Sequence, residues 1–339
     1  MVHRVAVAGL LILIAAVVPG CGGDAPSAER EPRATTSTGT AAAETAAPPA
    51  TATSTTAQTT TTTEPVDVST LPPPEPAGDP AGLARQIADA EAVLRTAGAG
   101  EADVATAALA QQVAYRQLGD HPEWDAEVQA ALPPALRPVA ESHAAARRDL
   151  RALTGRPTTE MPAWRIVAPE PAADLVGWYQ EAEAESGVPW QYLAAINLVE
   201  TAMGRIRGTS VAGAQGPMQF MPATWEAYGE GDVNDPRQAI RGAARYLTAN
   251  GAPDDMAGAL WHYNHSDRYV RAVQRYADLM VEHPGAYAAF HGWGVWYWTT
   301  AGDLYLPVGW QALEREPVDA YVARTGGGAA RASERRTRG

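Results

Sequence analysis

The chain has 339 residues, of which 46% are hydrophobic, enough for a sizeable buried core in one or two domains. Its 26 basic residues are all arginine and face 39 aspartates and glutamates, a formal charge of −13 that argues against nucleic acid or another polyanion as partner. Without lysine there is no phosphate-loop lysine, no kinase strand lysine and no Schiff-base chemistry. The single cysteine, Cys21, excludes an intramolecular disulfide framework and any multi-cysteine metal site.

Val5 to Val18 form an apolar run behind His3 and Arg4, too short for a permanent membrane span and followed by small residues, which is the pattern of a secretory signal. It ends at Val18-Pro19-Gly20-Cys21. The run resembles a bacterial lipobox, which implies a signal peptide over 1–20 cut before Cys21, acylation of the Cys21 thiol and attachment to the outer side of the cytoplasmic membrane. Pro19 is an unusual occupant of such a box, and the bland alternative is an ordinary signal peptide with an incidental cysteine. From 21 to 78 the composition turns to threonine, alanine, proline and serine, including unbroken threonine from Thr59 to Thr63. So little apolar surface predicts a disordered tether, spanning roughly 40 Å as a coil and roughly 170 Å when extended.

Helical periodicity starts at Asp79-Pro80, a capping residue followed by proline at the first helical position, with Leu83, Ile87, Ala90 and Leu94 on one stripe. A second helix is expected over 101–118, and a third carries Val139, His143, Ala146, Leu150 and Leu153. Residues 79–155 therefore form a helical module with no catalytic constellation, a spacer, docking or substrate-flanking element. His143 sits on the apolar stripe and is a core histidine rather than a ligand. Proline-rich residues 154–171 mark a boundary.

The next helices are expected over 172–186 and from Pro189 onward, where Tyr192, Ala195, Ile196, Val199 and Met203 recur at the helical period. Glu200 lies beside that stripe, and partial desolvation there should raise its pKa. It is the only carboxylate between Ser186 and Trp225. The same stretch holds Ser210, Gly216, Met218, Gln219 and Phe220, which offer close backbone approach, an amide for sugar substituents and apolar walls. Asp235-Pro236 caps a further helix, another carries Met256, Ala259, Leu260 and Tyr263, and Ser266 opens a third. Glu230, Asp232, Asn234 and Asp235 lack the ligand alternation of an EF-hand and are expected to form a capped turn. His262 and His265 have no third ligand that would make a zinc site. Trp225 and Tyr228 are expected in the core. No metal and no cofactor is expected anywhere in the chain.

Three blocks now stand in order: Val199-Glu200-Thr201, the run from Ser210 through Gly-Ala-x-Gly-x-Met-Gln-x-Met-Pro, and Tyr263-Asn264 about sixty residues after the glutamate. Together they resemble the lytic transglycosylases of bacterial cell walls, on the goose-type lysozyme fold. Gly187-Val188-Pro189, Asn234-Asp235-Pro236-Arg237 and Tyr263-Asn264-His265-Ser266 are more similar to the membrane-bound type B branch and its actinobacterial relatives. Pro217 stands where the family often has leucine.

The resemblance implies a mainly α fold with a lysozyme-like catalytic domain over 165–283, acting on peptidoglycan glycan strands without a cofactor. Glu200 would be the general acid and then the base, with Tyr263 orienting it or stabilising charge. Gln219 and Asn264 would bind sugar amides and hydroxyls, and Ser210 would be a weaker ligand. Two alternatives keep the same groove, a muramidase that admits water and a wall-binding lipoprotein with no chemistry. Beyond Pro284, the aromatic run from His291 to Thr300, a turn at Ala301-Gly302-Asp303 and the run from Leu304 to Trp310 predict a β-hairpin within a 284–324 extension. The hairpin either packs on the helical body or extends the glycan groove. Residues 325–339 are expected to be a disordered basic tail.

If Cys21 carries the anchor, Cys21→Ala moves the protein from the membrane to the soluble fraction on ultracentrifugation, and unchanged partitioning would assign anchoring to another element.

Overall fold

The computed structural model describes residues 72–325, so the signal segment, Cys21, most of the tether and the basic tail lie outside the described residues. The helices in chain order are α1 (Pro80–Leu94), α2 (Glu101–Asp120), α3 (Asp125–Ala131), α4 (Arg137–Thr154), α5 (Ala172–Ser186), α6 (Trp190–Thr201), α7 (Pro222–Tyr228), α8 (Pro236–Ala249), α9 (Met256–Tyr263), α10 (Asp267–Glu282), α11 (Ala286–Gly292) and α12 (Val318–Thr325). Six strands pair as three antiparallel ribbons: β1 (Glu160–Met161) with β6 (Glu316–Pro317), β2 (Arg165–Ile166) with β3 (Ile206–Arg207), and β4 (Val295–Thr299) with β5 (Gly302–Leu306). The expected class holds, mainly α with a carboxy-terminal hairpin.

Side-chain caps set several helix starts. The carboxylate of Asp79 accepts from the Gly82 N–H at 2.6 Å, that of Asp235 from Gln238 at 2.9 Å and that of Asp255 from Gly258 at 2.9 Å. The stripes read from the sequence face inward: Leu83, Ile87, Ala90 and Leu94 on α1, Ile240, Ala243, Ala244 and Leu247 on α8, and Tyr269, Val273, Tyr276 and Met280 on α10 are all buried.

α6 departs from its expected pattern. It stops at Thr201, where Ala202 and Met203 turn left-handed at φ 51° and 60°, so Met203 enters the core from beyond the helix. Leu193, Ala194 and Asn197 are buried while Tyr192 and Val199 are only half-buried. The cause is position, because α5, α8 and α10 pack around α6 and leave it no solvated face.

One apolar cluster runs from Leu83 on α1 through α2, α4, α6, α8 and α10 to Trp293, with α4 lying along α10. The chain is fastened ahead of α1 as well, since the Gln117 side chain donates to Ala77 O at 2.7 Å and accepts from Ala77 N at 3.0 Å. Aromatic residues after Pro284 divide between two structures. His291 and Gly292 end α11, and the strands begin only at Val295. The turn is Thr300-Ala301 rather than Ala301-Gly302-Asp303, because Gly302 already pairs with Thr299. Trp296 and Tyr305 pack on Leu109 and Val113 of α2, so the hairpin closes against the first helices as well as the later ones.

Candidate active site

Glu200 lies in the last turn of α6 and is 1% exposed. Its Oε1 accepts a hydrogen bond from the Tyr269 hydroxyl at 2.8 Å. Tyr269 comes from the first turn of α10, whose start is fixed by the Ser266 cap, and its ring stacks on Tyr263 at 6.4 Å and 4°. Burial pushes the Glu200 carboxyl up to about 8, and the Tyr269 hydrogen bond pulls only partly the other way. The carboxyl end of a helix, where backbone carbonyls point outward, adds a further bias against negative charge.

The loop after α6 is tied to it by buried hydrogen bonds. Pro217 O accepts from the Thr201 hydroxyl at 2.6 Å and from Asn197 Nδ2 at 2.8 Å, while the Tyr179 hydroxyl donates to Asn197 Oδ1 at 2.6 Å. Gln215 and Phe220 exchange backbone hydrogen bonds of 2.9 and 2.8 Å, which folds Gly216 to Gln219 into a tight turn. Gly216 adopts φ +73°, and a Cβ there would stand 2.0 Å from Val233 O, so only glycine fits. Gln219 is also left-handed, at φ 52°.

The residues singled out from the sequence are distributed through this assembly. The Tyr263 hydroxyl donates to Met218 O at 2.7 Å, bracing the loop. Gln219 is buried and its amide donates to Gly216 O at 2.9 Å. Ser210 Oγ accepts from Ala214 N at 2.9 Å and closes its own turn. Met218, Phe220 and Asn264 are buried, Phe220 against Trp225 at 5.2 Å. Asp235 and Asp232 form the expected capped turn, Asp232 Oδ1 accepting from Asn234 N at 2.9 Å. Tyr269 was legible only as a packing residue, since its place on the α10 stripe hides a hydroxyl aimed across at α6.

Glu200 also lines a cavity of about 120 Å³ whose walls include Val199, Ala202, His143 and Arg147 of α4, and Val295 and Tyr297 of the hairpin. Among the described residues that line it, Glu200 is the sole carboxylate. Helices α2 and α4 and the hairpin thus share the walls of this cavity with the end of α6.

Residues 178–279, which hold Glu200, the loop and both tyrosines, match the family model for the transglycosylase SLT domain. The chain carries a transglycosylase SLT domain. Over 128 residues it is 31% identical to the membrane-bound lytic murein transglycosylase F of Thiobacillus denitrificans, a match that covers 35% of this chain and 27% of that relative. The chain therefore spans about a quarter of the relative's length, and the likeness is one of domains. No solved structure is significantly similar to the chain.

Gly216→Ala should destabilise the SLT domain by about 3 kcal/mol or more in urea unfolding, because the Val233 carbonyl has to move. Gly213→Ala, at φ +94° with nothing within 4 Å of the new Cβ, should cost only about 1 kcal/mol of backbone strain. Equal costs at the two positions would contradict the packing role assigned to Gly216.

Proposed function

We propose that the protein is a peptidoglycan lytic transglycosylase that cleaves the β-1,4 bond between N-acetylmuramic acid and N-acetylglucosamine. The observation that carries this reading is a lone buried carboxyl with its pKa near 8, beside a cavity that has no second acid among its described lining residues. Conventional glycosidases place two carboxyls about 5 to 9.5 Å apart, one as acid and one as nucleophile or base. A single carboxyl suffices when the substrate supplies its own nucleophile.

The proposed step balances on that carboxyl. Glu200 gives its proton to the glycosidic oxygen as the bond from the muramyl C1 to that oxygen breaks. The muramyl 6-hydroxyl attacks C1, and its proton returns to the Glu200 carboxylate. A 1,6-anhydro ring forms, no water is consumed, and the acid is regenerated. Tyr269 holds the carboxyl in place, while Tyr263, Asn197 and Thr201 hold the loop that carries Gln219. Gln219, Asn264 and Ser210 are proposed to act on sugar amides and hydroxyls, with Met218, Phe220 and Gly216 shaping the wall. The similarity to a relative named as membrane-bound supports an envelope location, and acylation of Cys21 with the 21–78 tether would place the domain outside the cytoplasmic membrane.

A raised carboxyl pKa has an opposite effect on stability. The folded state holds the Glu200 proton more tightly than the unfolded chain, whose value is 4.5, so the stabilisation is greatest at low pH and is lost as pH rises from there towards 8. Glu200→Gln should therefore lower the rate on murein by roughly a thousandfold while melting above the unmutated protein at pH 8, with the difference closing towards pH 5. Mass spectrometry of the digest should find anhydro-muropeptides with the unmutated protein alone. Reducing-end products would make it a muramidase, and near-normal turnover by Glu200→Gln would refute the assignment of the acid.

A further inference from the structure

A second cavity, of about 530 Å³, lies where α2, α11 and the hairpin meet the segment that leads into α5. That volume falls within the roughly 300–1,000 Å³ of small-ligand sites. Its walls are mainly apolar, with Val104 and Leu109 of α2, Ile166 of β2, Ala288 of α11 and Leu306 of β5. It backs onto the cavity beside Glu200 without including the acid, since Gly294 and Val295 line both.

Arg205 stands in this apolar wall and is 8% exposed. Its Nε donates to Trp293 O at 2.7 Å and its Nη2 to His291 O at 2.6 Å, which commits two of the three guanidinium nitrogens to the end of α11. Nη1 makes no hydrogen bond among the described residues, and unlike Nε of Arg147 it is not sealed from water. Burial lowers the guanidinium to about 10, and the group that opposes this shift is the Tyr305 hydroxyl rather than a carboxylate. Tyr305 lines the same cavity, and its hydroxyl donates to no group among the described residues. His291, whose Nε2 lies 2.9 Å from Glu170 O, is held below its ordinary pKa mainly by burial and adds no charge at neutral pH. A buried cation without a counter-charge is costly, and a free guanidinium nitrogen with a free hydroxyl in one wall suits a carboxylate, which accepts on both oxygens. Glu101, exposed in the first turn of α2, is the sole carboxylate among the described lining residues. A buried cation, an exposed anion and aliphatic walls complement a zwitterion with an aliphatic body, whereas a fatty acid brings nothing for Glu101.

We propose that this cavity binds a short aliphatic peptide with a free carboxyl terminus, its terminal carboxylate on Arg205 and Tyr305 and its ammonium group towards Glu101. Such a site is independent of the chemistry at Glu200, and the peptide would sit behind a wall that the acid's own cavity shares.

The test is calorimetric binding of trialanine to the full chain, beside its carboxy-terminal amide, its N-acetyl form and octanoate. Trialanine should bind at least tenfold tighter than the amide and at least threefold tighter than the N-acetyl form. Equal binding of acid and amide overturns the proposal, as does the absence of binding, and an N-acetyl form that binds equally well would remove Glu101 from it. Octanoate bound as tightly as trialanine would make this a fatty-acid site and overturn the peptide reading. Arg205→Met should erase the preference for the acid while binding of the amide is unchanged, and a preference that survives it counts against the site. Because Arg205 also ties down the end of α11, Ala105→Phe supplies a variant that keeps every donor and fills the cavity from α2. Trialanine should bind that variant at least tenfold more weakly, and an unchanged affinity would put the peptide elsewhere and overturn the proposal.

Discussion

The architecture turns on keeping one carboxyl out of water. A carboxylate at Glu200 would lose its hydration shell and gain in return one hydroxyl donor, Tyr269, at the carbonyl-rich end of a helix. The protonated form avoids that penalty, which is why the group keeps its proton near neutral pH. Everything packed around α6 contributes to this dryness. α5, α8 and α10 surround the helix, and the loop from Gly216 to Gln219 is fastened to its end by Thr201 and Asn197. An acid held this way suits the proton donation proposed for it, at a cost to stability that grows with pH.

The loop shows how small residues and tyrosines divide the labour. Glycine at 216 permits a left-handed turn pressed onto the Val233 carbonyl, and the Tyr263 hydroxyl secures the following carbonyl of Met218. Residues that a sequence motif presents as sugar ligands are therefore also parts of a rigid frame. Stacking of Tyr263 on Tyr269 joins the frame to the acid's own partner, so the motif blocks form one mechanical unit.

Much of the fold was legible because local signals agreed with tertiary packing. Asp79-Pro80, Asp235-Pro236 and Ser266 marked helix starts by capping chemistry, and the stripes on α1, α8 and α10 faced the core as their period required. Legibility failed where context overrode pattern. α6 is buried around most of its surface, so its period of apolar residues said little about its orientation. The hairpin's turn was expected to run through Gly302 and Asp303, but both already belong to a strand. Glu200 stood out as a lone carboxylate in an apolar stretch, but Tyr269 looked like any other core aromatic. His143 stood out as a core histidine, and it is buried against Tyr115 and Phe290.

The central claim is that burial keeps Glu200 protonated at neutral pH. It is tested most directly by the carboxyl carbon-13 shift of Glu200, assigned by comparison with Glu200→Gln and followed from pH 4 to pH 10. The structure predicts a titration midpoint near 8. A midpoint near the ordinary 4.5 would show a solvated, ionised carboxylate at neutral pH and would contradict the account.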